Sequence, residues 1–379
     1  MSYEWDVAIN KAILNNSPKV HKILEENPYI KDVASELRET KNRVLDDIDA
    51  YISKTQKSVE KLGGHVHIAK DSTEAMEIVK EILGEKRKIV VSKSNVLYEI
   101  KLREELENEG MDIWETDLGE YLVQLNKDMP SHLVAPAIHL TKDKIGKLLN
   151  ENLDSSINEN TSAEEMVSRV RKFLMEKYLA ADAGITGANA IAADTGSVLL
   201  IENEGNIRID TVLPQTHIAI TGIDKIVPTL KDAFNEVIVQ ASYAGYYPPT
   251  YINVTSGPSA TGDIELQRVS PATGPKEFHL ILLDNGRKEA INSDIRESLL
   301  CIRCGRCYFS CPSYKLYGKD FGDSPYTGPT GIMWSAITSK KYDKSMLCMH
   351  SGGCKEVCPM DINIPRMIER IKFRYMEES

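Results

Sequence analysis

All seven cysteines of this 379-residue chain lie in one stretch near its end, and two of them precede proline. Thiolates are ligands that iron-sulfur clusters prefer. Three cysteines with two residues between successive members, and then Cys-Pro after three further residues, are typical of two-cluster ferredoxins. The spacing therefore predicts a two-cluster iron-sulfur module. The cysteines are Cys301, Cys304, Cys307, Cys311, Cys348, Cys354 and Cys358.

The cysteine before proline in such modules binds the cluster that its own loop does not hold. We therefore expect Cys358 to complete a [4Fe-4S] cluster with the first three cysteines. By the same exchange, we expect Cys311 to cross to the second cluster. The first set is thus Cys301, Cys304, Cys307 and Cys358, and the second set is Cys311, Cys348 and Cys354.

The second set is one thiolate short, because Ser351 stands where a further cysteine is expected, three residues after Cys348. Three thiolates can hold a [3Fe-4S] cluster, and this is the cluster that we expect. The alternative is a [4Fe-4S] cluster whose odd iron is bound by Ser351, His350, water or substrate. Thiolate is much the better iron ligand, which favours the three-iron cluster.

Zinc sites and disulfides are the other structures that closely spaced cysteines form. Seven ligands cannot fill two four-cysteine zinc sites, and zinc ribbons do not need Cys-Pro. The number of cysteines is odd, and residues 1–5 show neither the basic nor the apolar region of a secretory leader. We therefore do not expect zinc or a disulfide framework.

Composition and charge narrow the class of protein. With 42% hydrophobic residues, the chain is long enough for two or three globular domains. No apolar run approaches the roughly 18 residues of a membrane helix, so we expect a cytoplasmic protein whose membrane contact comes through partners. The net charge is −10 without a basic tract, and therefore we expect no nucleic-acid partner.

The cysteine-rich end is basic within this acidic chain. Residues 301–379 hold 12 Lys and Arg against 8 Asp and Glu, so they carry +4 and residues 1–300 carry −14. Arg303 and Arg306 lie between the cysteines. Cations near a cluster favour its reduced form, and they can also form a docking face for an acidic partner; ordinary solvated charge is the alternative.

Periodicity divides the chain into three parts. Apolar residues at helical spacing, such as Val33, Leu37 and Val44, predict an N-terminal helical segment over 1–60. Alternating strands and helices predict an α/β domain with a parallel sheet over 61–290, and the iron-sulfur domain follows over 291–379. The predicted strands are 65–69, 88–92, 112–115, 197–201, 216–221, 251–255 and 277–283. The predicted helices are 73–83, 95–109, 162–181, 228–241 and 288–300.

Polar segments follow most of these strands, and loops beyond the carboxyl ends of parallel strands meet at one ligand-binding crevice. Lys93 beside glycine-containing turns is suited to holding a carboxylate or phosphate. The alternative is that these residues serve the turns themselves, with His132 and His139 as hydrogen-bonded structural residues. The segments are 92–94, 115–120, 130–132, 184–189, 204–206 and 256–259.

From about residue 60 to its end, the chain resembles the iron-sulfur members of the LUD-domain family. The family motifs occur in order and are highly specific. They are found at residues 115–120, 124–125, 130–132, 136–139, 195–196, 204–206, 214, 222–225, 257–259, 263–265 and 284–287.

The resemblance implies a LUD α/β domain with a fold similar to sugar-phosphate isomerases and coenzyme A transferases, followed by a helical ferredoxin-like domain. It also implies electron transfer, with a cysteine-rich oxidoreductase subunit and a second LUD protein as partners. We expect electrons to pass from L-lactate, or a similar 2-hydroxy acid, toward a carrier such as quinone. No flavin or nicotinamide fingerprint is evident, so we predict no catalytic residue and place hydride chemistry on a partner.

Two alternatives remain for the LUD domain. It can be a catalyst or sensor for an anionic metabolite, such as an acyl-coenzyme A or a sugar phosphate, with regulatory or structural clusters. Glu204 then resembles the nucleophilic glutamate of the transferases. Alternatively, the domain is a scaffold that docks the other subunits.

The closing motif departs from the family pattern. The family reads Cys-x2-Cys-x3-Cys-Pro, whereas Cys348 and Cys354 are separated here by five residues. That spacing resembles the iron-sulfur subunit of succinate dehydrogenase, where an equivalent trio helps to hold a [4Fe-4S] and a [3Fe-4S] cluster. The resemblance therefore favours a three-iron second cluster.

Overall fold

Three helices precede the first strand. In the computed structural model, which describes residues 4–323 and 325–378, they are α1 (Glu4–Glu26), α2 (Tyr29–Asp46) and α3 (Ile48–Lys61). Their buried side chains recur at helical spacing, as with Leu37 and Val44 of α2. The predicted N-terminal helices are therefore confirmed, while residues 1–3 of the predicted segment lie outside the described residues.

Strands and helices alternate from His65 onward. Ser162 accepts a hydrogen bond from the Glu165 N–H and caps α9, which corresponds to the predicted helix 162–181. The elements are β1 (His65–Ala69), α4 (Ser72–Leu83), β2 (Lys88–Val91), α5 (Asn95–Glu99), α6 (Leu102–Asn108), β3 (Asp112–Glu115), α7 (Leu118–Leu125), α8 (Lys142–Asn152), α9 (Ala163–Ala180), β4 (Ala183–Thr186), β5 (Ala190–Ala192), β6 (Ser197–Glu202), α10 (Asn206–Val212), β7 (Thr216–Gly222), β8 (Ile226–Val227), α11 (Leu230–Ala244), β9 (Tyr251–Thr255), β10 (Thr261–Ile264), β11 (Gln267–Val269) and β12 (Glu277–Leu283).

The predicted parallel sheet is confirmed. Six strands run in the order β1-β12-β7-β4-β2-β3, and every neighbouring pair is parallel. All residues of β7 are buried, as expected for a strand covered on both faces. A smaller sheet, β8-β5-β6-β9, packs with α11 beside it. The carboxyl ends of the six parallel strands therefore open on one edge.

Two predicted helices are wrong as single units. The stretch 95–109 is two helices, because Lys101 adopts a left-handed conformation with φ of +52° and interrupts the chain of helical hydrogen bonds. The stretch 288–300 divides into α12 (Arg287–Ile291) and a 3-10 helix (Arg296–Leu300). The second break lies directly before the cysteine-rich segment.

The cysteine-rich segment is helical and is built around α15. It contains α13 (Arg306–Phe309), α14 (Pro312–Tyr317), β13 (Gly322–Asp323), β14 (Tyr326–Thr327), α15 (Gly328–Thr338), α16 (Gly353–Glu356) and α17 (Ile364–Glu378), with 3-10 helices at Gly318–Asp320 and Asp343–Leu347. Trp334 of α15 is fully buried and α17 packs against that helix. Across the described ranges, no helix combines the length and apolar character needed to cross a bilayer.

Candidate iron-sulfur centres and the adjoining crevice

The first set of cysteines surrounds one small cavity. Three of its members come from α13 and the loop that enters it, and Cys358 comes from the turn after α16. Ile302, Thr330 and Met360 are among the other lining residues. The structure thus brings together four cysteines from two separate stretches of chain. Their role as cluster ligands stays a prediction.

The second set lies around the start of α14. Ser313 ties this helix to the segment that carries Cys348, because its hydroxyl donates to the Leu347 carbonyl (2.9 Å) and accepts from the Met349 N–H (3.0 Å). Burial, and then the neighbouring Cys311 and Cys348, raise the pKa of Cys354 to about 12. The three thiols are therefore close neighbours, and the exposed Ser351 follows Cys348.

The buried thiols fit iron-sulfur clusters. Burial raises the pKa of Cys358 to about 12, so a bare thiol there stays neutral, and a thiolate needs positive iron beside it. Backbone N–H groups also point at sulfur: Arg303 donates to Cys301 (3.4 Å) and Tyr314 donates to Cys311 (3.4 Å). Such hydrogen bonds stabilise negative charge on cluster sulfurs.

Within residues 4–323 and 325–378, no three His, Cys, Asp or Glu side chains are grouped so as to hold a single metal ion. The expectation of clusters rather than zinc stays a prediction.

His132 supports the loop that carries the first three cysteines. Its Nδ1 accepts from the N–H groups of Val134 and Ala135 (3.1 Å each), so the proton is on Nε2, which lies 3.3 Å from the Gly305 carbonyl oxygen. The ring stacks on Phe309 with centroids 4.9 Å apart. Burial, followed by Lys93, lowers the pKa of His132 to about 3, so the ring is neutral. His132 is therefore a structural residue.

The glycine that His132 contacts has no room for a side chain. Gly305 has φ of +76°, and a Cβ placed on it would lie 2.7 Å from His132 Cε1. The neighbouring Ser131 carbonyl accepts from Tyr314 (2.7 Å) and Thr327 (2.9 Å). His139 is also hydrogen-bonded, with Nδ1 2.8 Å from the Ser131 hydroxyl. The segment 130–132 thus fixes the cysteine-rich domain against the α/β domain.

Arg303 is a buried cation, so of the three readings the docking face and the solvated charge are wrong for this residue. It is only 6% exposed, and its Nη1 lies 3.0 Å from Asp224 Oδ2 in a buried ion pair. The guanidinium also lies over Trp334, 4.0 Å from the ring centroid. Asp224 pairs as well with Arg287 (2.6 Å), which pairs with Glu99 (2.7 Å). Arg303 therefore belongs to the interior and cannot dock a partner.

Further buried charges link the same loop to the α/β domain. Lys225 Nζ lies 3.0 Å from Glu236 Oε1 and 3.4 Å from the Ile302 carbonyl oxygen. Lys41 of α2 reaches Glu236 (3.2 Å) and the Asp224 carbonyl oxygen (2.7 Å). Although burial alone would raise it, Arg303 and Arg287 hold the pKa of Asp224 well below its usual value. The sequence signal for this network was charged residues placed directly after apolar strands.

Four of the six polar segments meet at a crevice of about 300 Å³, so the predicted meeting of loops is confirmed for them, while ligand binding stays a prediction. Lys93 follows β2, Asp117 follows β3, Asn189 follows β4, and Glu204 follows β6. The prediction is wrong for the remaining two segments, 130–132 and 256–259. His132 faces Gly305, as described above, and the segment 256–259 packs near Leu62.

Glu204 is the carboxyl group of the crevice with the most altered acidity. Burial, and then the neighbouring Asp117, raise its pKa to about 7. Its Oε2 accepts from the Leu118 N–H (3.1 Å). Lys93, which also lines the crevice, donates to the Val134 carbonyl oxygen. The crevice thus contains both cationic and protonatable groups.

Comparisons with known proteins agree with this architecture. Residues 52–283 match the family model described as LUD domain, and residues 297–362 match the model described as 4Fe-4S dicluster domain. Lactate utilization protein B of Bacillus subtilis is 38% identical over 350 residues, which cover 90% of this chain and 71% of that protein. The uncharacterized electron transport protein YkgF of Escherichia coli is 36% identical over 384 residues, with 99% and 78% covered.

A further relative and one solved structure complete the comparison. Lactate utilization protein B of Bacillus velezensis is 37% identical, covering 94% of this chain and 74% of that protein. A crystal structure of a duf162 family protein from Deinococcus radiodurans is 13% identical with a TM-score of 0.35, covering 62% of this chain and 98% of that one. The chain therefore belongs to the LUD-domain family, and a 4Fe-4S dicluster domain with an electron-transfer role follows its LUD domain.

Proposed function

We propose that this chain carries electrons released by the oxidation of L-lactate, or of a similar 2-hydroxy acid, to the 2-oxo acid. The observation that supports this most is the pair of cysteine sets in a chain 38% identical to a protein named Lactate utilization protein B. An iron-sulfur cluster, when bound, accepts and releases single electrons. The oxidation releases two electrons and two protons, so two single-electron transfers match each turnover.

The first set is proposed to hold a [4Fe-4S] cluster and the second set a [3Fe-4S] cluster. Cys301 and Cys311 each accept a backbone N–H bond, which favours the thiolate forms that a cluster requires. The exposed Ser351 leaves the second set without a fourth thiolate. Under this proposal the residues of the chain bind, orient and shield the clusters, and the hydride acceptor belongs to a partner.

The proposed partners are a cysteine-rich oxidoreductase subunit and a second LUD protein, with a carrier such as quinone as the final acceptor. Under the same proposal the protein works in the cytoplasm, and any membrane contact is made by its partners. The proposed domain limits are 1–60, 61–290 and 291–379. They agree with the ranges 52–283 and 297–362 of the two matching family models to within about ten residues, apart from the C-terminal end.

The test uses the native complex, isolated anaerobically, and electron paramagnetic resonance before and after L-lactate. An oxidised three-iron signal that disappears on adding L-lactate is the expected result. Clusters that dithionite reduces but lactate does not would overturn the lactate assignment. Cys304→Ala should abolish lactate-dependent electron flow, while Ser310→Ala, which changes a nearby non-ligand hydroxyl, should retain it.

A further inference from the structure

The crevice of the α/β domain extends to the loop that carries the first three cysteines. Arg303, which stands between Cys301 and Cys304, forms part of its lining. Lys225 lines it as well and reaches the Ile302 carbonyl oxygen at 3.4 Å. The crevice therefore shares a wall with the loop proposed to hold the first cluster.

That wall is positively charged. The buried network behind it contains Lys41, Lys225, Arg287 and Arg303, against Asp224, Glu236 and Glu99. Four formal positive charges thus face three negative ones, and one positive charge lacks a counter-ion in the network. Burial makes an unbalanced charge costly, and an anion placed in the crevice reduces that cost.

Arg303 also has unused donors. Its Nη1 pairs with Asp224, whereas Nε and Nη2 have no hydrogen-bond partner among the described residues. These two nitrogens form one edge of the guanidinium, the edge that binds a carboxylate through two parallel hydrogen bonds. Buried donors without acceptors are rare, so Arg303 points to an acceptor that the chain itself does not supply.

The rest of the lining limits the ligand to a small, singly charged anion. Three cations, Lys93, Lys225 and Arg303, share the crevice with Asp117, Glu202 and Glu204. A dianion such as a phosphate monoester would meet these carboxyl groups, whereas a monocarboxylate adds only one negative charge. A volume of about 300 Å³ lies at the small end of ligand sites and suits a small molecule.

We propose that the crevice binds a small monocarboxylate at the wall formed by Lys93, Lys225 and Arg303. We propose also that this binding changes the midpoint potential of a cluster held by the first cysteine loop. The proposed binding site rests on the observations of the crevice alone. The change in midpoint potential rests on the proposed function, because it requires a cluster in the first set. No oxidation occurs in the crevice, since nothing in the proposal supplies a hydride acceptor there.

Calorimetric titration of the anaerobic full-length chain tests the site, with L-lactate, pyruvate, acetate and inorganic phosphate as probes. Saturable binding of at least one carboxylate, tighter than that of phosphate, is expected. Lys93→Gln should weaken it at least tenfold, while Lys142→Gln, the same loss of charge on α8 away from the crevice, should leave it unchanged. No saturable carboxylate binding, or preferred binding of phosphate, overturns the site.

A second variant covers the case in which Lys93→Gln does not fold. Ala244→Leu adds volume to the crevice lining without removing a charge, so it should block binding while iron content and circular dichroism stay normal. Unchanged binding in a folded Ala244→Leu protein overturns the location. Either variant alone decides the question.

The link to the cluster loop is tested by redox titration of the first cluster with and without pyruvate, which is already oxidised. A bound anion disfavours the more negative reduced cluster, so the midpoint potential should fall. If pyruvate saturates the crevice and the midpoint potential of the first cluster does not change, the link is overturned, while the binding site stands. If the crevice binds carboxylates but lactate fails to reduce the clusters of the native complex, the proposed function is wrong and the site stands.

Discussion

Arg303 lies between two cysteines of the first set, and its guanidinium forms a 3.0 Å ion pair with Asp224, which follows β7. Both side chains are buried, so water does not screen the pair. Asp224 at the same time pairs with Arg287, just beyond β12. A single carboxylate thus joins the ends of two central strands to the loop that is proposed to hold the first cluster.

Asp224→Asn should be among the most destabilising isosteric changes in the chain. It leaves Arg303 buried without a counter-ion, and breaking a buried pair in this way costs about 3–5 kcal/mol. The free energy of unfolding of the α/β domain, measured anaerobically with denaturant, checks this. Asp263→Asn, on the exposed β10, is the matched control and should change it by less than about 0.5 kcal/mol. A loss below about 1 kcal/mol in Asp224→Asn would contradict the buried pair.

His217 of β7 should make the fold sensitive to acid. Burial, and then the charge of His279, lower the pKa of His217 to about 3, below the roughly 6.5 of an unfolded histidine. As pH falls below about 6.5, the unfolded chain binds a proton at this position and the folded chain does not, so stability falls. From pH 7 to pH 5 the loss from this one group is about 2 kcal/mol.

The check is a comparison of wild type with His217→Gln at both pH values. The variant is expected to be less stable at pH 7, because its amide replaces the ring that contacts Thr186 (2.9 Å). Between pH 7 and pH 5 it should nevertheless lose about 2 kcal/mol less than wild type. Equal losses in the two proteins would show that His217 is not the acid-sensitive group.

Sequence patterns predicted the long, buried strands of the sheet. They failed where a single residue determines the local structure. The strands β7 and β12 are seven residues long and largely buried, and they were predicted within one residue. The central strand β4 was missed because it is four residues long and contains Gly184. That glycine is required by packing, since a Cβ there would lie 1.9 Å from the Asp210 carbonyl oxygen of α10. Such a contact cannot be inferred from a local pattern.

The candidate site likewise has a part that the sequence predicts and a part that it does not. Cysteine spacing predicted both sets, and the structure brings the members of each set close together, while their role as cluster ligands stays a prediction. The burial of the Arg303 side chain could not be predicted, because its partners Asp224 and Trp334 come from distant parts of the chain. A basic residue between cysteines is compatible with a surface or a core position, and only the tertiary structure distinguishes the two.

Cys311→Ala should remove the second cluster and leave the first. Cys311 follows Cys307 on the same stretch of chain, yet the exchange typical of Cys-Pro motifs assigns it to the other set. Ser313, which ties α14 to the segment of Cys348, is unchanged in this variant. Iron content and electron paramagnetic resonance check the outcome: the three-iron signal should vanish, while a dithionite-reduced four-iron signal should persist. Loss of the four-iron signal alone would refute the exchange.

Ser351→Cys should convert the second cluster from three irons to four. The new thiolate would stand three residues after Cys348, on an exposed stretch with room to turn, and thiolate binds iron far better than a hydroxyl does. Iron per chain should rise by about one, and the oxidised three-iron signal should disappear. Ser351→Ala is the matched control, and it distinguishes the two clusters that Ser351 permits. If the cluster has three irons, this variant changes neither iron content nor signal; if the serine oxygen holds a fourth iron, that iron is lost and a three-iron signal appears where wild type has none.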